Sequence, residues 1–344
     1  MQGASLSVGA PSPQPSPRWG EGVRTSKPDR GDVRHDDKSM LYFIEQFLNG
    51  IQLGMLLFLL AAGLTLIFGI MDLVNLAHGS LYMIGAYFAA TFAEWTDSFV
   101  LGAIFAIVAT LAVGMALEVI AMRRLYARSH LDHVLGTFGL LLFFNELVRL
   151  IWGPAGMTLS LPGEMLKAVE ILPGLFYPVY RLVIIAVTLA VAFLLYALVM
   201  RTRLGMLIRA GASNREMVGA LGVNIKLLYT MVFGLGAALA GFAGLMQAPI
   251  LTVQIGMGEN ILILAFVVII IGGIGSIRGA FVAALLVGLV DTVGRAFLPD
   301  LLHVYLSESA AASLGRALSS MMIYMVMALV LIVRPEGLFP AASK

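Results

Sequence analysis

The polar stretch Arg201–Lys226, RTRLGMLIRAGASNREMVGALGVNIK, lies between two long apolar runs and carries too much charge to lie in lipid. Its basic residues outnumber its single acid, Glu216. The basic residues are Arg201, Arg203, Arg209, Arg215 and Lys226. Because lysine and arginine accumulate in the cytoplasmic loops of membrane proteins, we expect this stretch to face the cytoplasm. The other segments can then be placed relative to it.

A short helix with a defined beginning and end is predicted inside this stretch. Ser213 and Glu216 have the S-x-x-E spacing of a capping box, which predicts that a helix begins at Ser213. Gly222 can adopt the left-handed conformation that ends helices, so about two turns, Asn214–Leu221, are expected between the two signals. A helix this short is marginal alone in water and needs flanking helices or a docked partner. The stretch is therefore either an ordinary positive-inside loop or a coupling helix that receives force from a cytoplasmic motor.

The composition predicts an all-α polytopic membrane protein. Hydrophobic residues make up 60% of the chain and charged residues 12%, and the mean hydropathy is +0.94. Several continuous apolar runs reach the roughly 20 residues that cross a bilayer as a helix. The net charge of +2 is small and dispersed, so no nucleic-acid partner is expected. The chain has no cysteine, which excludes disulfides and thiolate chemistry.

The apolar runs predict about eight to nine transmembrane helices in residues 40–344, with membrane lipid around them. The nine candidate spans are residues 47–70, 74–93, 99–121, 134–152, 180–200, 227–248, 260–276, 279–298 and 317–333. Arg123, Arg124 and Arg128 mark a second cytoplasmic loop, and the parity of the later runs places Arg334 and the C-terminus in the cytoplasm. Three runs precede Arg123, so either the N-terminal tail is translocated or one early run is broken or re-entrant.

Residues 1–39 differ in composition from the rest of the chain. They are rich in proline and contain no apolar region of the kind found in a signal peptide. We expect a disordered tail or a misassigned translation start, with the membrane domain beginning at Met40.

One apolar run near the N-terminus contains a group of polar residues. Within MDLVNLAHGSLYMIGAY, residues 71–87, these are Asp72, Asn75, His78, Gly79 and Ser80. Polar side chains at membrane depth usually face the bundle interior or a water path. Asn75 and His78 are expected to share a helix face, and Gly79 is expected to break the helix. The candidate translocation path is therefore Asn75, His78, Gly79 and Ser80. The alternative is that His78 is neutral and only hydrogen-bonds to a neighbouring helix.

A second glycine-interrupted stretch, GGIGSIRGAFVAALLVG, covers residues 272–288 in the other half of the chain. Paired broken segments in two halves point to a transport site between repeats, although the two stretches here are only weakly similar. Elsewhere, charges at helical spacing predict the structural pairs Glu146–Arg149 and Asp291–Arg295. Gly236, Ala240 and Gly244 form a ladder of small residues that predicts close helix packing.

No signature of an enzyme is present. The sequence contains no G-x-x-x-x-G-K-[ST], no H-E-x-x-H and no G-x-S-x-G. We therefore expect no catalytic residue, cofactor or metal site. Three hypotheses remain: a substrate-translocating subunit without catalysis of its own, a self-sufficient secondary transporter or channel, and an intramembrane enzyme. The second hypothesis needs ionisable residues deep in the bundle, and the third needs a nucleophile and a base at usable spacing.

From Met40 onward the chain resembles the permease subunits of branched-chain amino-acid ABC importers, the LivH type. The resemblance rests on LTLIFGIMDLVNLAHGSLYMIGAY, on RAGASNREMVGALGVN followed by FGLGAALAGFAG, on GGIGSIRGAFVAALLVG and on the terminal VRPEGLF. These four motifs occur in the right order over nearly the whole membrane part.

The resemblance implies an ABC importer permease fold in a bacterial inner membrane. It implies a sister permease subunit, identical or related, two cytoplasmic ATP-binding subunits that hydrolyse ATP, and a periplasmic or lipid-anchored substrate-binding protein. Carried onto this sequence, the contact with the ATP-binding subunits corresponds to Arg209, Ala212, Glu216, Gly219 and Gly222, beside the predicted cap Ser213. The implied substrates are branched-chain amino acids or a related small amino acid, with urea or short amides as the alternative.

Overall fold

The computed structural model describes the backbone of residues 35–339 and the side chains from Ser39 onward. The predicted tail, residues 1–39, lies almost entirely outside the described residues. Nearly all described secondary structure is helical, as the composition predicted.

Each of the nine predicted apolar runs forms a long helix. The long helices are α1 His35–Met71, α2 His78–Thr96, α3 Phe99–Leu117, α5 His130–Trp152, α6 Val179–Arg201, α9 Ile225–Gln247, α10 Met257–Gly272, α11 Ile277–His303 and α12 Glu308–Val333. The shorter ones are α4 Arg123–Leu125, α7 Arg203–Ser213 and α8 Arg215–Ala220. A π-helical turn, Glu118–Met122, joins α3 to α4. Seven of the described helices are long and apolar enough to cross a membrane. The protein is therefore a multi-pass membrane protein.

The helices form an inner group and an outer group. In the most apolar windows of α1 and α9, 83% of the residues are buried, against 22% in α5 and α6 and 11% in α12. Helices α2 and α10 are shorter: α2 packs on α9 and on α10, most of the α2 residues are buried, and half of the α10 residues are buried. The outer helices thus keep a broad apolar surface for lipid or for another subunit.

Small residues allow the inner helices to approach closely, as the ladder on α9 predicted. A methyl group on Gly236 would press against Gly63 and Ile67 of α1, and one on Gly244 would overlap the backbone of Tyr82 in α2. In lipid, where apolar burial drives little association, such backbone contacts supply much of the packing attraction.

Two inner helices, α2 and α10, each follow a non-helical segment of several residues. Residues 72–77 separate α1 from α2, and Asp72 adopts a left-handed backbone conformation with φ 53°. Residues 248–256 separate α9 from α10, and Val253 pairs with Met157 in an isolated β-bridge. The second glycine-interrupted stretch of the sequence, residues 272–288, holds the turn between α10 and α11 and the beginning of α11.

The connection between α5 and α6 contains a small hairpin that the sequence analysis missed. Strands β1 Ala168–Leu172 and β2 Leu175–Pro178 pair antiparallel around Gly174. The Tyr177 hydroxyl donates to Asn49 Oδ1 on α1 at 3.1 Å. Burial raises the pKa of Tyr177, so this hydroxyl stays protonated and able to donate. The hairpin is therefore fixed to the start of the membrane bundle.

Candidate functional site

The predicted coupling stretch folds as two helices, α7 and α8, rather than one. Ser213 was predicted to cap the helix, and this was wrong, because Ser213 is the last residue of α7. The cap of α8 is Asn214, whose Oδ1 accepts from the backbone N–H of Met217 at 2.9 Å. Asparagine and serine cap about equally well, and the S-x-x-E pattern selected the neighbour one position too early.

The end of α8 follows the sequence prediction. Gly222 has φ +87°, in the left-handed region, and its N–H donates to the Gly219 carbonyl at 3.0 Å. The Val223 N–H reaches back to the Val218 carbonyl at 3.3 Å. These two bonds form a Schellman motif, which stops the helix sharply. Helix α8 thus has a capped start and a capped end, which offsets its short length.

The residues of the predicted coupling contact differ in their solvent exposure and their hydrogen bonds. Ser213, Glu216, Gly219 and Gly222 are exposed and Ala212 is half-buried. Arg209 donates to the Val199 carbonyl at the end of α6, so it holds α7 against the membrane helix.

Large apolar side chains also lie open on α8. Met217 is 58% exposed and Leu221 is 77% exposed, while Val218 between them is buried. Apolar residues exposed beside charged ones on a polar loop are typical of a surface that another protein covers.

A polar cleft of about 230 Å³ separates the coupling helices from the end of α1. It is lined by Ile70, Asp72 and the six residues Gly211–Glu216. The coupling helices therefore lie directly beside the first residue of the non-helical segment 72–77. A displacement of α7 and α8 can reach that segment without passing through another helix.

A buried acid, Glu118, connects the π-helical turn after α3 to α9 on the same side of the bundle. The Glu118 side chain is fully buried and accepts from Arg123 Nε at 3.1 Å and from Thr230 Oγ1 at 2.6 Å. The Tyr126 hydroxyl also donates to Glu118 at 3.0 Å. Burial and the nearby Glu118 carboxylate raise the pKa of Tyr126, so the phenol stays protonated. The sequence signal for this network is an acid, Glu118, inside the predicted apolar span 99–121.

The polar group in the first broken segment is enclosed by protein. His78 is the first residue of α2, and its Nε2 lies 3.2 Å from the Leu60 carbonyl of α1. A carbonyl only accepts, so Nε2 carries the proton and the ring joins α2 to α1. The sequence predicted that Asn75 and His78 share a helix face. This was wrong, because Asn75 lies in the non-helical segment 72–77.

Gly79 does not break the helix, contrary to the prediction. It lies in the first turn of α2, where a methyl group would overlap the carbonyl of Gly258 in α10. The beginnings of α2 and α10 therefore touch, backbone against backbone. Glycine at this position serves a close contact, and the interruption lies just before it.

Counting residues along the helices, we infer that this contact lies near the middle of the bilayer. Leu60 precedes the end of α1 by eleven residues, and Gly236, which packs on Gly63, follows the start of α9 by eleven residues. At 1.5 Å per residue, each distance is about 16 Å, close to half of a roughly 30 Å hydrocarbon core. We name this level, which includes His78, Gly79 and Gly258, the midplane layer.

Unpartnered polar atoms concentrate in the same layer. Nine buried side-chain nitrogen or oxygen atoms have no hydrogen-bond partner among the described residues, and four of them belong to Asn75, His78 and Ser80. Leaving such a group unsatisfied costs about 1–3 kcal/mol. Buried polar groups of this kind usually have a partner, such as ordered water, an ion or a ligand.

A wider cleft lies at the other end of the bundle. It has a volume of about 800 Å³ between the α2–α3 turn and the loop that follows α5. Glu94, Asp97 and Ser98 line one wall, and residues 156–162 line the other.

The predicted ion pairs elsewhere are present and peripheral. Glu146 and Arg149 lie 3.1 Å apart and are both exposed, and Asp291 and Arg295 lie 2.7 Å apart. Among the described residues, no group of three or more histidine, aspartate or glutamate side chains is placed to hold a metal ion.

Comparison with known proteins gives a consistent result. Residues 46–331 match the family described as the permease component of branched-chain amino acid transport systems. The chain is 32% identical over 269 residues to BraD of Pseudomonas aeruginosa, a high-affinity branched-chain amino acid transport system permease protein, covering 74% of this chain and 86% of the relative. It is 28% identical over 283 residues to LivH of Escherichia coli K12, covering 76% and 89%. No solved structure matches the chain significantly.

Proposed function

Because the chain belongs to the family of permease components of branched-chain amino acid transport systems, we propose that it carries branched-chain amino acids through the inner membrane as one subunit of an ATP-driven importer. The observation that carries the proposal is the pair of helices α7 and α8, capped at both ends, exposed, and set beside a broken membrane segment. The chain has no catalytic role in this proposal, and ATP hydrolysis belongs to its partners.

Helices α7 and α8 are the surface that a cytoplasmic ATP-binding subunit grips. Support comes from the exposed Glu216, Met217 and Leu221, which combine charge and apolar area on a two-turn helix. Closure of two such subunits on ATP would displace α7 and α8. The cleft beside Asp72 lets that displacement act on residues 72–77 and on the start of α2.

The substrate path runs along the midplane layer. Asn75, His78, Gly79 and Ser80 remain its candidate residues, with distinct roles. His78 bonds to α1 and Gly79 permits the contact with α10, so both position the layer. Asn75 and Ser80 hold the unpartnered groups that a polar substrate or water can meet.

In this proposal the coupling helices and the C-terminus after α12 lie in the cytoplasm, which the basic loops support. The cleft of about 800 Å³ then opens to the outside, where a periplasmic or lipid-anchored binding protein would release substrate. A sister permease, identical or related, completes the path from the other side.

Two other substrate or mechanism classes are less well supported. Urea or short amides could also use neutral groups such as Asn75 and Ser80, but the relatives reported above are named for branched-chain amino acids. A self-sufficient transporter would not need a capped, exposed helix pair of this kind.

The experiment is to express the tagged chain with its neighbouring genes and to identify by mass spectrometry what co-purifies in mild detergent. We expect one or two P-loop ATP-binding proteins and a second permease. The same complex in liposomes, supplied with its binding protein, should accumulate L-leucine only with ATP. A chain that purifies alone and still transports would contradict the proposal.

A further inference from the structure

Glu259 is an acid on an apolar, exposed surface at membrane depth. It is the third residue of α10, directly after Gly258, and therefore belongs to the midplane layer. The predicted span nearest to it begins at residue 260, one residue after Glu259. The structure starts α10 three residues earlier and deep in the bundle.

The surroundings of Glu259 are exposed and largely apolar, with the polar Asn260 next to it and the Glu146–Arg149 pair one turn away on α5. Three apolar side chains on α5 and α10 are exposed: Leu142 by 49%, Phe143 by 56% and Ile263 by 50%. Such a surface faces lipid or another membrane protein. A charged side chain facing lipid at this depth costs about 2.5–3.5 kcal/mol or more, so ionisable residues here normally face a path or a partner.

Glu259 has one polar contact and no cationic partner among the described residues. Asn145 Nδ2 on α5 donates to Glu259 Oε1 at 2.7 Å. Arg149 is one turn further along α5, but it pairs with Glu146. The carboxylate is therefore oriented by a neutral donor and its charge is not compensated within this chain.

We propose that Glu259, held by Asn145, binds the ammonium group of the amino acid as it passes the midplane between this chain and the sister permease. The inference rests on the proposed function and assigns one end of the substrate to one residue. An ammonium supplies three donors and the missing positive charge, and Glu259 lies on the open side of the layer where a second subunit would close the path. Urea and neutral amides have no group that needs this charge.

The test uses the complete importer in liposomes with its binding protein, with ATP inside and L-leucine as the transported probe. Glu259→Gln keeps the shape and can keep the Asn145 contact, but it removes the charge. We expect uptake to fall about tenfold or more, as for loss of a hydrogen bond to a charged group, while the subunits still co-purify. Glu259→Asp retains the charge and should recover part of the uptake. The control is Glu164→Gln, in an exposed pair with Lys167 on the loop after α5, which should transport within about twofold of wild type.

Two results overturn the ammonium site. One is Glu259→Gln uptake within about twofold of wild type. The other is loss of the sister permease from the Glu259→Gln complex, which would make Glu259 half of an ion pair between subunits. A wild-type complex that assembles but does not accumulate L-leucine would instead remove the proposed function on which the inference rests.

Discussion

Single residues at the midplane layer show what a glycine contributes in a membrane protein. Gly79 and Gly258 are each buried where a side chain would meet the other helix's backbone. From the sequence, Gly79 predicted an interruption, because glycine has low helix propensity. In the structure it is helical, and its lack of a Cβ is used for a contact between helices. Only the partner residue distinguishes these two uses, and a sequence read segment by segment does not reveal the partner.

At this scale we predict that Gly258→Ala destabilises the folded protein by about 1–3 kcal/mol, because the methyl group must displace the carbonyl of Gly79. Gly139→Ala in α5 is the matched control, since no atom lies within 4 Å of its added methyl group. It should be neutral or slightly stabilising. Thermal unfolding of the two detergent-purified variants measures the difference, and equal midpoints would show that the contact between α2 and α10 is loose.

At the scale of the element, α8 depends on its ends. Its six residues cannot hold a helix alone, and the Asn214 cap and the Schellman motif at Gly222 supply the missing bonds. The end was predicted from Gly222 because a left-handed glycine is a strong local signal. The start was assigned one residue early because Ser213 and Asn214 are both good caps, and only the path of α7 decides between them.

We predict that Asn214→Ala loosens α8 by about 1 kcal/mol, whereas Ser213→Ala has little effect. Hydrogen exchange of the Met217 amide, which the Asn214 side chain holds, reports the change directly. If Ser213→Ala accelerated exchange as much as Asn214→Ala, the assignment of the cap would be wrong.

The hydrogen bonds to Glu118 are a second feature that stabilises the packing of helices, because they join the end of α3 to α9. Glu118→Ala leaves Arg123, Tyr126 and Thr230 without their shared acceptor, and each unsatisfied buried group costs about 1–3 kcal/mol. We therefore expect a large drop in thermal stability. Glu146→Ala breaks an exposed pair of similar distance and should cost no more than about 1 kcal/mol. Similar losses in both variants would mean that Glu118 is more solvated than its burial indicates.

For the whole molecule, the positions of the nine long helices could be predicted because each is a continuous apolar run between polar segments. The sequence did not reveal how deep in the membrane each helix begins. Residues 249–259 lie between two predicted spans, yet they include the start of α10 in the midplane layer, and Glu259 fell just outside the predicted span for the same reason. Depth follows from contacts such as Gly79 with Gly258, which join residues far apart in the chain. The short hairpin at residues 168–178 was missed because its strands are too short for a clear alternating pattern.

We propose that a cytoplasmic ATP-binding subunit docks on α7 and α8 and drives the change in the substrate path. The chain has no cysteine, so Met217→Cys on the exposed face of α8 introduces a unique thiol for a short photo-crosslinker in the intact complex. The account predicts a crosslink to the ATP-binding subunit, and none from Tyr305→Cys, which is 83% exposed in the connection between α11 and α12. A Met217→Cys chain that crosslinks to no ATP-binding protein, in a complex that contains one and transports, would contradict the account.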